Sequence, residues 1–173
     1  MATMTYPLSR RHTGLLIPLV GGDSRFGVHV KESFYWAINP SQDLLISPFY
    51  YSNLGYGSEF RYRYILDRLS RGQWFVSALH QTEVPEVSSV SQAGQEAGET
   101  RALIRGTHTQ QFNPDLFFRV QANLVTDRNY LQQLSNSGVL RALPSSDSNI
   151  FLNQRLAYGN TYLLGQYLQP LQS

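Results

Sequence analysis

Apolar and polar side chains alternate with a period of two along much of this chain. The clearest case is Phe60-Arg61-Tyr62-Arg63-Tyr64-Ile65-Leu66, where Phe60, Tyr62, Tyr64 and Leu66 share one parity and Arg61 and Arg63 the other. Successive side chains of a β-strand point to opposite faces, so the segment predicts a strand with one aromatic and one cationic face. Leu116–Val125 repeats the pattern, with Leu116, Phe118, Val120, Ala122 and Leu124 opposite Arg119, Gln121 and Asn123. A helix would scatter these polar residues around its axis. Seven further strands are predicted over His12–Val20, Phe26–Ile38, Leu44–Ser52, Gln73–Thr82, Ala102–Phe112, Ile150–Tyr158 and Thr161–Gln169. Gln154 interrupts the apolar face of its strand.

The links between these nine strands alternate in length. Asn39–Ser41, Asp67–Arg71, Asn113–Asp115 and Gly159–Asn160 are short. The long ones, 83–100 and 127–149, both fall among the intervening links. Up-and-down membrane barrels have short turns on one side and long loops on the other, and the parity agrees. Residues 83–100 are rich in Ser, Gln, Gly and Glu and predict a solvated loop. Tyr130–Leu134 predicts a short helix, and Pro144-Ser145-Ser146-Asp147 a turn.

Composition supports a membrane wall over a soluble domain. Charged residues make up 15% of the 173 residues, below the roughly 25% of average soluble domains. Aromatics reach 13%. No run approaches the roughly 20 apolar residues of a membrane helix, whereas a membrane strand needs only about 9–11 residues, every second one apolar. The fold class expected is therefore all-β: antiparallel up-and-down transmembrane strands of an outer-membrane barrel. Cysteine is absent, which excludes disulfides and thiolate chemistry. The net charge of +2 is too small to indicate nucleic acid. Met1–Arg11 lacks the apolar core of a signal peptide, so an incomplete chain is expected.

No HExxH, P-loop, G-x-S-x-G or GxGxxG motif occurs, so no catalytic residue, metal site or cofactor is expected. His12, His29, His80 and His108 are far apart and are read as structural or lumen-lining. Arg61, Arg63, Arg105, Arg119 and Arg155 lie on the polar parity of their strands. Guanidinium groups pair well with phosphates, so these five could line a lumen that handles a phosphate-bearing headgroup; a merely polar inner wall is the plainer reading. Trp36, Tyr62 and Tyr64 suit the membrane interface, where amphipathic rings gather. Pro18 and Pro48 remove ladder donors, and Pro18 by itself reads as a strand terminator.

Taken in order, Arg10-Arg11-His12-Thr13-Gly14-Leu15-Leu16-Ile17-Pro18, Phe26-Gly27 and Phe34-Tyr35-Trp36-Ala37-Ile38-Asn39-Pro40-Ser41-Gln42-Asp43 resemble the opening of the barrel of the LptD (OstA, organic solvent tolerance) family. Gly57-Ser58-Glu59-Phe60-Arg61-Tyr62 is similar to the family's next strand, and Thr126-Asp127-Arg128-Asn129-Tyr130-Leu131 to a later loop start. The resemblance spans roughly residues 6–170. It implies an outer-membrane barrel of about 26 strands that inserts lipopolysaccharide into the outer leaflet through a lateral gate. It also implies an LptE-like lipoprotein plug and an LptA-like periplasmic bridge reached through a jellyroll. Residues 1–11 would be the remnant of that jellyroll and its linker, and 12–173 part of the barrel. Family prolines in the first two strands weaken the gate; Pro18 matches the first, while Ser33 stands at the second. The rivals are a small outer-membrane pore or adhesin barrel and a soluble β-sandwich that binds lipid.

Overall fold

The computed structural model describes residues 11–24, 26–83, 98–127, 130–131 and 144–171. The strands in chain order are β1 (Gly14–Leu15), β2 (Leu19–Asp23), β3 (Gly27–Lys31), β4 (Phe34–Asn39), β5 (Gln42–Tyr51), β6 (Gly55–Ile65), β7 (Ser70–Gln81), β8 (Thr100–Asn113), β9 (Leu116–Val125), β10 (Ser145–Leu156) and β11 (Gly159–Pro170). They form one antiparallel sheet in which sequence neighbours pair from β4 to β11. β1 and β2 together make the first crossing, β3 and β4 the second, giving the nine crossings expected. No second sheet packs on this one among the described residues, which counts against the sandwich.

Three of the short turns share one local cause. Asn39, Asp67 and Asn113 each accept, through the side chain, the N–H two residues on: Ser41 at 2.9 Å, Leu69 at 2.6 Å and Asp115 at 2.9 Å. This Asx geometry reverses the chain without help from distant residues. The β5–β6 turn instead needs Gly55, whose φ of 142° lies where a side chain is strained.

The pairing register sorts the side chains cleanly. Arg61 stands opposite Phe75, Phe75 opposite Arg105, and Arg105 opposite Asn123. All four share the inner, concave face with Glu59, Gln73, Ser77, Thr107 and Gln121. Phe60, Val76, Ile104 and Leu124 form an outer row on the same strands. Many outer side chains are open to the surroundings, Ile150, Leu163 and Tyr167 among them. Such an apolar outer face is at home in lipid and costly in water.

Two inner clusters lie toward the long-link end of the sheet. Leu103, Val125, Tyr130, Leu131 and Leu171 form one, with Phe75 packed against it; Phe49, Leu54 and Leu79 form the other, with Phe26 and Tyr51. The core therefore sits inside the curve of the sheet.

Several expectations change. The chain does not stop being a strand at Pro18, since β2 resumes at Leu19. Ser145–Asp147, expected as turn, opens β10. Pairing with Leu168, Gln169 and Pro170 of β11 overrides their turn-like composition. Tyr130 and Leu131 are helical; Gln132–Leu134 of the expected helix lie outside the described residues. So do residues 84–97 of the first long loop and 1–10 of the expected jellyroll remnant. Gln154 pairs with Leu116 and Thr161 beside the final turn, where a polar outer residue reaches the rim of the wall.

Candidate functional site

Three parts of the sheet carry polar or strained features that packing alone does not require: the outer aromatic rows, the inner wall and the first hairpin.

Trp36, Leu44, Tyr62 and Trp74 fall in one outer row, and Tyr64, Gly72 and His108 in the next toward the short turns. The Tyr62 hydroxyl donates to Gln42 at 3.1 Å, Tyr64 meets His108 Nδ1 at 2.7 Å, and the two tyrosine rings stack at 5.3 Å. Trp74 lies over Gly106 and Tyr64 over Gly72, where any Cβ would collide with the ring. At the other end Tyr50, Tyr56 and His80 form a matching row. Tyr56 and Tyr64 are eight residues apart, about 26 Å along a strand. A tilt of 35–45° brings that to about 20 Å, close to the apolar band of an outer-membrane barrel. Phe49 and Tyr51 face inward instead, as does His29, whereas His80 and His108 face outward and so do not line the lumen.

On the inner wall four cations are matched by acids. Asp43, only 2% exposed, accepts Arg63 Nε at 2.8 Å and Nη2 at 3.0 Å, and Arg11 Nη1 at 2.9 Å. This ties the start of the first crossing to β5 and β6. Lys31 pairs with Glu59 at 2.5 Å. Arg101, also 2% exposed, holds Asp127 at 2.8 and 2.9 Å and Gln81 at 3.2 Å, beneath the Tyr130 ring. The Tyr130 hydroxyl donates to Ser77 at 2.9 Å. Burial raises its pKa above the ordinary phenol value, against the opposing effect of the Ser77 hydrogen bond, so it stays a neutral donor. The start of the second long loop is thereby pinned inside the curve.

Arg61, Arg105 and Arg119 have no carboxylate partner among the described residues. Arg61 leans toward Phe75, 5.8 Å from the ring centre, and Arg119 toward Phe151 at the same distance. Arg61 and Arg105 line a cleft of about 770 Å³. Arg63, Arg119 and Arg155 are not among its lining residues; Arg155 lies at the rim, opposite Asn160. The alternation identified the five strand arginines but not Arg101, Asp43, Lys31, Glu59 or Tyr130. Arg101 shares its parity with Arg105 and was legible to that extent; the acids carried no signal, because their partners lie on other strands.

Gly57 shows how tightly this wall is built. A Cβ there would run into the Ala78 carbonyl and the Phe49 ring. Backbone cannot swing aside, so Gly57→Val is expected to cost about 2–3 kcal/mol. A lowered urea midpoint in lipid vesicles, with Trp36 and Trp74 as reporters, would register it; an unchanged midpoint would show that β6 and β7 can part there freely.

The first hairpin is irregular. β1 pairs with β4 through Gly14–Tyr35 and Leu15–Phe34, and β2 with β3 from Leu19–Lys31 onward. Three residues, Leu16-Ile17-Pro18, thus oppose two, Glu32-Ser33, which is a β-bulge. One backbone bond spans this interval, Leu16 N–H to Ser33 C=O at 2.8 Å. The Ser33 N–H turns to the Glu32 side chain at 3.2 Å, and its hydroxyl bonds Ser47 at 2.8 Å. Pro48 C=O accepts Glu32 N–H at 3.1 Å, but Pro48 has no N–H to return. The second crossing is therefore short of ladder bonds on both sides at one level, and Ile17 is 94% exposed.

An antiparallel wall, apolar and aromatic outside and polar inside, with short Asx turns and long links at opposite ends, defines the up-and-down β-strands of an outer-membrane barrel. Comparison with known proteins agrees. The family described as LPS transport system D matches residues 99–173. The LPS-assembly protein LptD of Aromatoleum aromaticum is 31% identical over 156 residues, 88% of this chain and 17% of that protein. Its counterpart from Idiomarina loihiensis is 30% identical over 180 residues, 97% of this chain and 22% of that protein. The chain belongs to the LptD family, and it spans about a fifth of the length of these curated relatives.

Proposed function

We propose that this chain forms the gate-side wall of an outer-membrane barrel that assembles lipopolysaccharide in the outer leaflet. Lipopolysaccharide would leave sideways between the first and last strands of the whole barrel, a seam weakened by poor pairing in the first two crossings. The carrying observation is the ladder defect around Pro18: a bulge, one backbone bond across the interval, and Pro48 facing Glu32 from the other side. An edge short of hydrogen bonds parts from its neighbour at low cost. Ser33 in place of the family's second proline does not restore the ladder, since its N–H bonds the Glu32 side chain instead of the first strand. Pro18 and Ser33 are thus both parts of the weak seam.

While an amphiphile slides through such a seam, its headgroup travels along the inner wall and its acyl chains stay in the bilayer. Arg61, Arg63, Arg105, Arg119 and Arg155 give that wall its cationic character. Trp36, Tyr62 and Tyr64 would fix the depth of the wall at the interface. An LptE-like plug and an LptA-like bridge to a periplasmic jellyroll complete the proposed machine.

Pro18→Ala tests the gate. It restores a donor and is expected to tighten the seam and lower lipopolysaccharide export several-fold, read as surface lipopolysaccharide and as greater sensitivity to large antibiotics. Wild-type values for both, at equal barrel levels in the membrane, would remove Pro18 from the mechanism. The pore or adhesin reading finds no comparable support, because the relatives are assembly proteins over nearly the whole of this chain.

A further inference from the structure

The arginines of the inner wall are not equivalent, and their differences locate a ligand. Arg11 and Arg63 share Asp43, Arg101 holds Asp127, and Lys31 holds Glu59. Arg61 and Arg105 have no such partner among the described residues, yet both line the same 770 Å³ cleft. The charged residues lining it are Lys31, Glu59, Arg61 and Arg105, so two positive charges are in excess there. A wall that needed only polarity would be served by Gln, Asn and Thr, which are also present as Gln73, Thr107, Gln121 and Asn123.

Arg61 and Arg105 face each other across Phe75 in one cross-strand row. Two strand spacings put their Cα atoms about 10 Å apart, and each guanidinium can reach inward from there. The amides and the Thr107 hydroxyl surround the pair. Toward the long-link end the cleft becomes apolar, lined by Phe49, Leu79, Leu103 and Leu131. A ligand matching both halves carries phosphate groups on a polar scaffold joined to apolar matter.

We propose that this cleft is a phosphate-binding subsite for the phosphorylated saccharide headgroup of an amphiphile, with Arg61 and Arg105 gripping its phosphates on either side of Phe75. The inference rests on the transport reading above and adds to it where on the wall the headgroup pauses. Bidentate guanidinium–phosphate contacts are strong and geometrically selective. The Arg63, Arg101 and Lys31 ion pairs keep their charges from competing for the ligand. The same phosphate chemistry could also come from a soluble anion, so the test must separate the two sources.

The test uses the protein purified from outer membranes in detergent, with inorganic pyrophosphate as the first probe in calorimetric titration. Saturable binding is expected, weakened about ten-fold or more by Arg61→Gln and by Arg105→Gln, each removing a charge-assisted contact. Arg68→Gln, in the exposed turn between β6 and β7 and outside the cleft, is expected to change it less than two-fold. Lys replacements keep the charge and should bind at intermediate strength, which covers the case in which a Gln variant fails to fold. In a second arm, bis-phosphorylated lipid A in mixed micelles is expected to compete with pyrophosphate, and the same lipid stripped of phosphate is not. The site is refuted by absence of saturable binding, or by equal losses in the Arg68 and Arg105 variants. Pyrophosphate binding without competition from the lipid overturns the headgroup assignment. These outcomes are independent of the Pro18→Ala result, so a failed gate and a failed subsite can be told apart.

Discussion

Replacing Arg11 and Arg63 together by alanine is expected to destabilise the barrel by about 3 kcal/mol, because it strands a buried carboxylate. Asp43 is 2% exposed and receives three charge-assisted hydrogen bonds from those two residues. Each arginine is about half exposed, so either pair alone is screened by solvent and a single replacement should cost only about 1 kcal/mol. The double loss is larger because nothing then offsets the desolvation of Asp43. Adding Asp43→Asn to the double variant should recover much of the loss, since the buried charge disappears with its partners. Urea titrations in vesicles, followed by the fluorescence of Trp36 and Trp74, would give the midpoints. A double variant as stable as the wild type would mean that Asp43 is not held as described.

Asp127→Ala carries the second large effect, also about 3 kcal/mol locally, since it takes two hydrogen bonds from a buried guanidinium. Arg101 would keep Gln81 and the Tyr130 ring, but it would lose both of its Asp127 hydrogen bonds. The structural consequence is confined to one place. Tyr130 and Leu131, packed against Leu103, Val125 and Leu171, should leave the inner face, opening the second long loop to added protease. Cleavage in that loop should speed up at least ten-fold while the sheet stays folded. Cleavage at the wild-type rate would show that the apolar contacts hold the loop without Asp127.

These two effects bear on how a weak seam survives in a stable wall. The first crossing loses ladder bonds at Pro18, yet Arg11 fastens its start to Asp43 on the third crossing. Loosening at the bulge need not detach the strand, because the clasp lies near the short-turn end of the sheet. The seam can yield while the base is held, which is the arrangement a sideways exit requires.

The alternation at Phe60–Leu66 and at Leu116–Val125 by itself decided which side chains face lipid and which face inward, because side-chain direction on a strand is a local property of the backbone. The short turns were equally legible, since Asn39, Asp67 and Asn113 cap them with their own side chains. The family resemblance carried by the Arg10–Pro18 and Gly57–Tyr62 segments agrees with the relatives found over nearly the whole chain. The tertiary structure alone decided which charges neutralise one another. Asp43 and Arg63 are 20 residues apart, Arg101 and Asp127 are 26 apart, and Lys31 and Glu59 are 28 apart. Those pairs exist only once neighbouring strands adopt one register, and a one-residue slip would turn every partner to the opposite face. The same register separated Arg61 and Arg105 from the other arginines, and it turned Pro18 from a strand terminator into a bulge within a continuing strand.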